Sequence, residues 1–234
     1  MLKILVVTDM HYAAPDERST IAARRGDLTL RLLETLKGLA PECDAVCVLG
    51  DIIENGFRDT APLRWAEFRA VLEGFGKPLF VLPGNHDRRP DAFAEVFGKP
   101  APVKVGDYTI IPFWDHYDEH DVCTRDLDAM EAQLDAAEGS VIVLQHSTIL
   151  PAIDSAYPYT LPQHKDIAAS YTRHGVALSL SGHYHWGIEP FVEDGVTYAA
   201  VPAFCESPFR YAVVTVDGNQ VDMQVLTLEG IFKE

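Results

Sequence analysis

Five apolar runs in this chain each end at a small cluster of polar side chains, and this pattern constrains the fold more than any other feature. Leu2 to Val7 leads to Asp9 and His11, and Ala45 to Leu49 leads to Gly50 and Asp51. Leu79 to Leu82 leads to Asn85, His86 and Asp87; Val141 to Leu144 leads to His146; Val176 to Leu180 leads to Gly182, His183, Tyr184 and His185. Short β-branched and aliphatic runs bounded by Gly or Pro read as buried strands. Helical spacing separates them. Leu28, Leu32, Leu36 and Leu39 precede Pro41, and a second helix is expected from Thr60 to Phe75 with Asp59 or Thr60 as N-cap. Two more are expected over Arg125 to Ala137 and Gln163 to Arg173. A β-α-β-α-β order calls for a parallel sheet covered by helices. A turn at Val105 to Tyr108 introduces the strand Thr109 to Phe113. Glu193-Asp194-Gly195 and Asp217-Gly218-Asn219 mark turns, so residues 188–227 read as mainly antiparallel hairpins.

In a mostly parallel sheet the carboxyl ends of the strands share one edge, where ligands bind. The five clusters can therefore meet although they span most of the chain. Each has an ordinary explanation alone, since Asn, His and Asp are common turn formers. Their joint order, DxH, GD, GNHD, H and GHxH, each after a strand, does not. Glycines at 50, 84 and 182 let the backbone turn sharply and leave room for an anion. Asp9, Asp51, Asn85, His11, His146, His183 and His185, with His86 to spare, make a mixed oxygen and nitrogen set suited to two borderline divalent metals. Without thiolates it does not resemble a structural zinc site.

With 234 residues, 47% of them hydrophobic, the chain can bury a large core, and one domain over 1–234 is expected. A formal net charge of -16 argues against a nucleic-acid polymer or an anionic membrane as partner, because nothing would neutralise phosphates over a wide footprint. The opening MLKILVVTD is too short an apolar run for a secretory signal or a membrane span, which gives a cytoplasmic expectation. Cys43, Cys47, Cys123 and Cys205 form no CxxC pair and read as reduced core thiols.

The sequence of motifs resembles that of the calcineurin-like metallophosphoesterases over essentially the whole chain. The resemblance implies an α/β fold, a four-layer α/β/β/α sandwich of two mixed sheets. It also implies two divalent ions of Mn, Fe or Zn, with Asp9, His11, Asp51 and His185 holding one, and Asp51, Asn85, His146 and His183 the other. Asp51 would bridge them. His86 would stay off the ions as the acid or charge stabiliser at the leaving oxygen, with Asp87 as its orienting partner.

After Gly50-Asp51 the chain continues Ile52-Ile53-Glu54-Asn55-Gly56, where the protein phosphatases of that family carry an Asp-Arg pair. The segment is more similar to the small bacterial branch that includes cyclic-nucleotide phosphodiesterases, as is Pro202 to Phe209. No Lys or Arg sits inside a metal motif, Arg88 and Arg89 being nearest. A monoester dianion benefits from such charge more than a diester does. The expectation is a small phosphate-ester substrate, a diester, with a cyclic nucleotide as one candidate. A phosphomonoesterase and a non-catalytic metal-binding scaffold are the alternatives.

Other residues stay open between two readings. Arg18, Arg24 and Arg25 contact the substrate anion or solvate the first helix. Tyr157 and Tyr159 stack on a base or pack locally. Cys205 and Glu206 line the pocket, or are a core thiol and a solvated carboxylate. His116 and His120 belong to an acidic rim loop or a third metal site, and His164 and His174 read as surface residues.

Overall fold

The computed structural model describes residues 1–14, 17, 28–39 and 42–228. Arg18, Arg24, Arg25 and Pro41 lie outside them. The first sheet has the order β13-β12-β1-β2-β3. It combines β1 (Leu2–Val7), β2 (Ala45–Leu49) and β3 (Leu79–Leu82), all parallel, with the antiparallel pair β12 (Arg210–Asp217) and β13 (Gln220–Thr227). The second sheet runs β10-β11-β9-β8-β5-β4. Here β5 (Tyr108–Pro112), β8 (Ser140–Leu144), β9 (Val176–Ser181) and β11 (Val196–Ala200) are parallel neighbours. Antiparallel β4 (Val103–Val105) and β10 (Ile188–Glu193) form its edges. A short hairpin of β6 (His116–Tyr117) and β7 (Cys123–Thr124) stands apart.

Continuous apolar strands need cover on both faces, and alternate side chains find it in different layers. From β1, Leu2, Ile4 and Val6 point at the second sheet, where they meet Tyr108, Ile110, Ile142, Leu144, Leu178 and Leu180. Leu5 and Val7 point the other way, into a cluster with Leu32, Leu33, Leu36, Trp65, Phe68 and Phe93. Those residues come from α1 (Leu28–Leu39), α2 (Ala61–Glu73) and α3 (Pro90–Phe97). The outer face of the second sheet is covered by Met130 and Leu134 of α4 (Leu127–Asp135) and Ile167 and Tyr171 of α5 (His164–Arg173). Helices, sheet, sheet and helices therefore stack as four layers, as the resemblance implied. All four cysteines are free and buried.

The differences from expectation are local. The two terminal hairpins join different sheets, and β11 pairs parallel with β9 rather than only with its hairpin partner. Helix α3 follows two left-handed residues, Arg88 and Arg89, and has Pro90 in its first turn. Its eight residues are too few for a clear period. Of the two N-cap candidates for α2, Thr60 takes the position, but its hydroxyl donates to Glu17 at 2.7 Å instead of capping the helix. Asp126 does cap α4, accepting from Ala129 N–H at 3.0 Å. The acidic stretch after β5 is anchored by a buried ion pair, Asp115 with Arg125 at 2.6 and 2.7 Å. His164 and His174 are half-buried, and each bonds a backbone carbonyl through Nδ1 at 2.9 Å.

Candidate metal centre

All five strand-end clusters arrive at one place. Asp9, Asp51, His146 and His183 bring donor atoms within 4.8 Å of one another, as do Asp9, His11 and His185. Asp51 lies between the two groups, its Oδ2 3.5 Å from His11 Nε2 and 3.4 Å from His146 Nε2. Asn85 joins the second group through Oδ1, 3.3 Å from His146 Nε2. The sequence-predicted set is thus assembled, and every ligand candidate except His185 is buried.

Local backbone explains how side chains on strand ends turn inward together. Asp9, His11, Asp51 and His183 have φ of 52°, 45°, 50° and 64°, a region costly for residues with a Cβ and characteristic of functional sites. Main-chain bonds between neighbouring strand ends hold them there, from Asp9 N–H to Gly50 at 3.0 Å and from His11 N–H to Asp51 at 2.9 Å. Gly84 is required by space, since a Cβ there would lie 2.1 Å from Asp51 Oδ1.

The donors are oriented by a second ring of contacts. Thr8 Oγ1 and His183 N–H donate to Asp9 Oδ2 at 2.7 and 2.9 Å. His86 N–H donates to Asp51 Oδ1 at 2.8 Å. His146 Nδ1 donates to the Leu49 carbonyl at 2.5 Å, and His185 Nδ1 meets Glu206 Oε1 at 2.7 Å. In each case the other ring nitrogen is left to face the centre, the arrangement that fixes a histidine as a metal ligand. Burial works against charge on His146, yet the Asp51 carboxylate pushes it up to about 9. His185, also opposed by burial, is raised to about 9 by Asp9 and Glu206. His183 moves the opposite way, to about 3, because it is buried and sits beside His146.

These residues fit divalent ions. His183 Nε2 is buried and has no hydrogen-bond partner among the described residues. Asp9 Oδ1 has ion contacts with His185 Nε2 at 3.3 Å and His11 Nε2 at 3.9 Å but no hydrogen-bond partner among the described residues. Buried polar atoms left in this state need a partner, and a cation satisfies the carboxylate and the imidazoles together.

His86 and Asp87 part company. His86 Nδ1 lies 2.8 Å from the Glu54 carbonyl, which only accepts, so Nδ1 carries hydrogen and Nε2 is free to serve the cleft. Asp87, expected to orient His86, does not touch it. Its carboxylate accepts from Gly84 N–H at 2.9 Å, Ile52 N–H at 3.1 Å, Trp65 Nε1 at 3.1 Å and Ile53 N–H at 3.3 Å. Among the described residues the buried Ile52 and Ile53 N–H groups have no other acceptor, and Asp87 supplies it. Glu54 does the orienting instead, and its carboxylate also lies 3.6 Å from His11 Nδ1. Nothing in the sequence marked Glu54, Thr8 or Trp65, because their contacts exist only once the strands align. Glu206 was visible as a pocket residue but not as the partner of His185.

Above the centre is a cleft of about 460 Å³ lined by Asp51, His86, Asp121, Tyr157, His183, His185, Trp186 and Glu206 among others. Tyr157 and Tyr159 pack on each other, 4.9 Å apart, and on His183. Among the described residues, no Lys or Arg lines the cleft. Arg88 is occupied by the Asn85 carbonyl at 2.6 Å, the Asp118 carbonyl and the Asp121 carboxylate. His116 and His120 belong to no cluster of donors among the described residues. None of the described helices is long and apolar enough to cross a membrane.

Two mixed sheets carrying this cluster on adjoining strand ends define a metallophosphoesterase fold. Residues 2–187 match the calcineurin-like phosphoesterase family, and the chain belongs to it. It is 24% identical, over 88% of its length and 77% of the relative's, to a 3',5'-cyclic adenosine monophosphate phosphodiesterase, CpdA, of Haemophilus influenzae. A UDP-2,3-diacylglucosamine hydrolase of Aeromonas hydrophila is 27% identical over 67% of this chain, which spans 52% of that protein. Among solved structures, a dimetal phosphatase from Danio rerio superposes with a TM-score of 0.78 over 97% of this chain and 98% of its own, at 13% identity.

Proposed function

We propose that the chain, acting as one unit over 1–234, hydrolyses small phosphodiesters at a two-ion centre. Asp9, His11, Asp51 and His185 would hold one ion, and Asp51, Asn85, His146 and His183 the other. When bound, two such ions supply the positive charge that neutralises phosphate oxygens and the acidification of water that yields a nucleophile at neutral pH. Asp51 is suited to serve both because its Oδ2 lies 3.5 Å from His11 Nε2 and 3.4 Å from His146 Nε2. His86 presents Nε2 to the cleft with its ring fixed by Glu54, so a proton held on that atom can pass to the departing oxygen. Asp87 takes no part in that step and keeps the Gly84 turn and the start of the Ile52 segment in register.

One observation favours a diester over a monoester. Among the described residues the cleft is lined by no Lys or Arg and by three carboxylates, Asp51, Asp121 and Glu206, so none of these residues compensates a second phosphate charge. The cyclic adenosine monophosphate phosphodiesterase relative supports the same choice and makes a cyclic nucleotide one candidate substrate.

The test compares kcat/KM for bis-nitrophenyl phosphate, nitrophenyl phosphate and a panel of cyclic nucleotides with the same ion present. Preference for the diester is expected, and preference for the monoester rejects the reading. Elemental analysis should find close to two divalent ions per chain and loss of both in Asp51→Asn. A single ion at saturation would rule out the two-ion centre, and two ions without turnover of any ester would leave only a scaffold.

A further inference from the structure

Trp186 follows directly on His185, lines the cleft, and is nevertheless 81% exposed. Its backbone is fixed. Tyr184 N–H donates to the Gly182 carbonyl at 2.7 Å, Gly187 N–H to the Tyr184 carbonyl at 2.7 Å, and Ala203 N–H to the His185 carbonyl at 3.1 Å. Gly187 has a φ of 77°, and a Cβ there would come within 3.0 Å of Pro202 Cδ. An indole is usually largely buried, and one displayed on a rigid turn at the mouth of a cleft is a ready surface for another ring.

On the far side of Trp186 is a second cavity of about 250 Å³, with Ile188, Pro202, Met223 and Val225 among its walls. Its charged residues are Glu189, which is exposed, and Arg210, the half-buried first residue of β12. No described residue forms a hydrogen bond or ion pair with the Arg210 guanidinium. That is notable in a chain with 35 acidic and 19 basic residues, where Arg64, Arg69, Arg88, Arg125 and Arg173 all find carboxylates. A half-buried guanidinium gains from a planar acceptor more than water alone provides.

We infer that the metal cleft continues over Trp186 into this cavity, and that Trp186 and Arg210 together receive a planar heteroaromatic substituent of the substrate. This rests on the diesterase reading, which gives the substrate a second substituent to place. The ring lies on the indole face against apolar walls, Arg210 donates to its nitrogen or oxygen acceptors, and Glu189 accepts from an exocyclic amine. A saturated sugar or alkyl group can lie on the indole but offers no planar ring whose edge acceptors meet Arg210 at the same time. A second phosphate would meet the Glu189 carboxylate beside Arg210.

Adenosine is the probe, because it carries no phosphate and so reports on this cavity apart from the ion centre. Calorimetric titration of the full chain should show saturable adenosine binding and none by ribose. Affinity should fall about tenfold in Trp186→Leu and in Arg210→Leu, with Trp186→Phe retaining most of it. Tryptophan fluorescence should be quenched by adenosine in the wild type and not in Trp186→Leu, locating the ring. Absence of saturable binding, equal affinity in the Leu variants, or equal binding of ribose overturns the inference. Hydrolysis of methyl nitrophenyl phosphate by the ion-loaded wild type reports separately on the diesterase reading. Hydrolysis without adenosine binding would remove the ring subsite alone, while adenosine binding without hydrolysis would reject the diesterase.

Discussion

The Asn85 side chain donates through Nδ2 to the Tyr157 hydroxyl at 2.9 Å, and the direction of that bond is set at its far end. Tyr157 gives its one proton to Asp121 Oδ2 at 3.4 Å, and Asp121 also receives Arg88. A carboxylate only accepts, so the phenol oxygen must accept from Asn85, and the Asn85 carbonyl oxygen is turned toward His146. Tyr157→Phe removes the acceptor that chooses this amide orientation. Affinity for one of two ions should fall about tenfold or more while the other is retained, as titration calorimetry with Mn²⁺ can read. Two ions bound as in the wild type would mean that Tyr157 serves the substrate instead.

His86→Ala should keep both ions and lose about a hundredfold or more in kcat. The loss should be smallest on esters whose leaving group is already acidic, because these need no proton. Loss of an ion in this variant would make His86 a ligand, and an equal loss on every ester would assign it to phosphate positioning.

Asp87→Ala should act on the fold. Four N–H groups lose their buried acceptor, a change on the order of 3–5 kcal/mol in unfolding free energy. Urea unfolding should show this drop in Asp87→Ala and little of it in His86→Ala. Equal stability of the two would restore Asp87 to a role beside the histidine.

Ion uptake should release protons. In the ion-free protein His146 and His185 are raised to about 9, so both are charged at neutral pH and must become neutral to bind. Apparent affinity for Mn²⁺ should rise with pH and level off near 9, with acid released on mixing in weak buffer. The same shifts govern stability. Groups whose folded pKa lies above the unfolded value of 6.5 stabilise the fold below 6.5 and lose that contribution as pH climbs through about 9. Chelator-treated protein should therefore lose thermal stability over that interval, and a flat or rising profile would contradict the assignment.

Much of this was legible in the sequence for a definite reason. Asp9, Asp51, Asn85, His146, His183 and His185 each stand immediately beyond a buried apolar run, and parallel pairing brings such positions to one edge. What escaped was set by the facing of individual atoms. Asp87 follows His86 in the chain, yet the turn at Gly84 sends its carboxylate back toward Trp65 and the main chain after β2. Glu54 reaches His86 through its backbone carbonyl, so its side-chain type gave no signal. Tyr157 packs locally, as one reading had it, but its hydroxyl also orders Asn85.

The centre lies across the join of the two sheets. Asp9, His11, Asp51, Asn85 and His86 follow strands of the five-stranded sheet, while His146, His183 and His185 follow strands of the six-stranded one. Neither sheet alone carries a complete set of donors for either proposed ion. Each ion would act as a rivet through both layers, so sliding one sheet past the other would dismantle the catalyst before it unfolded the chain.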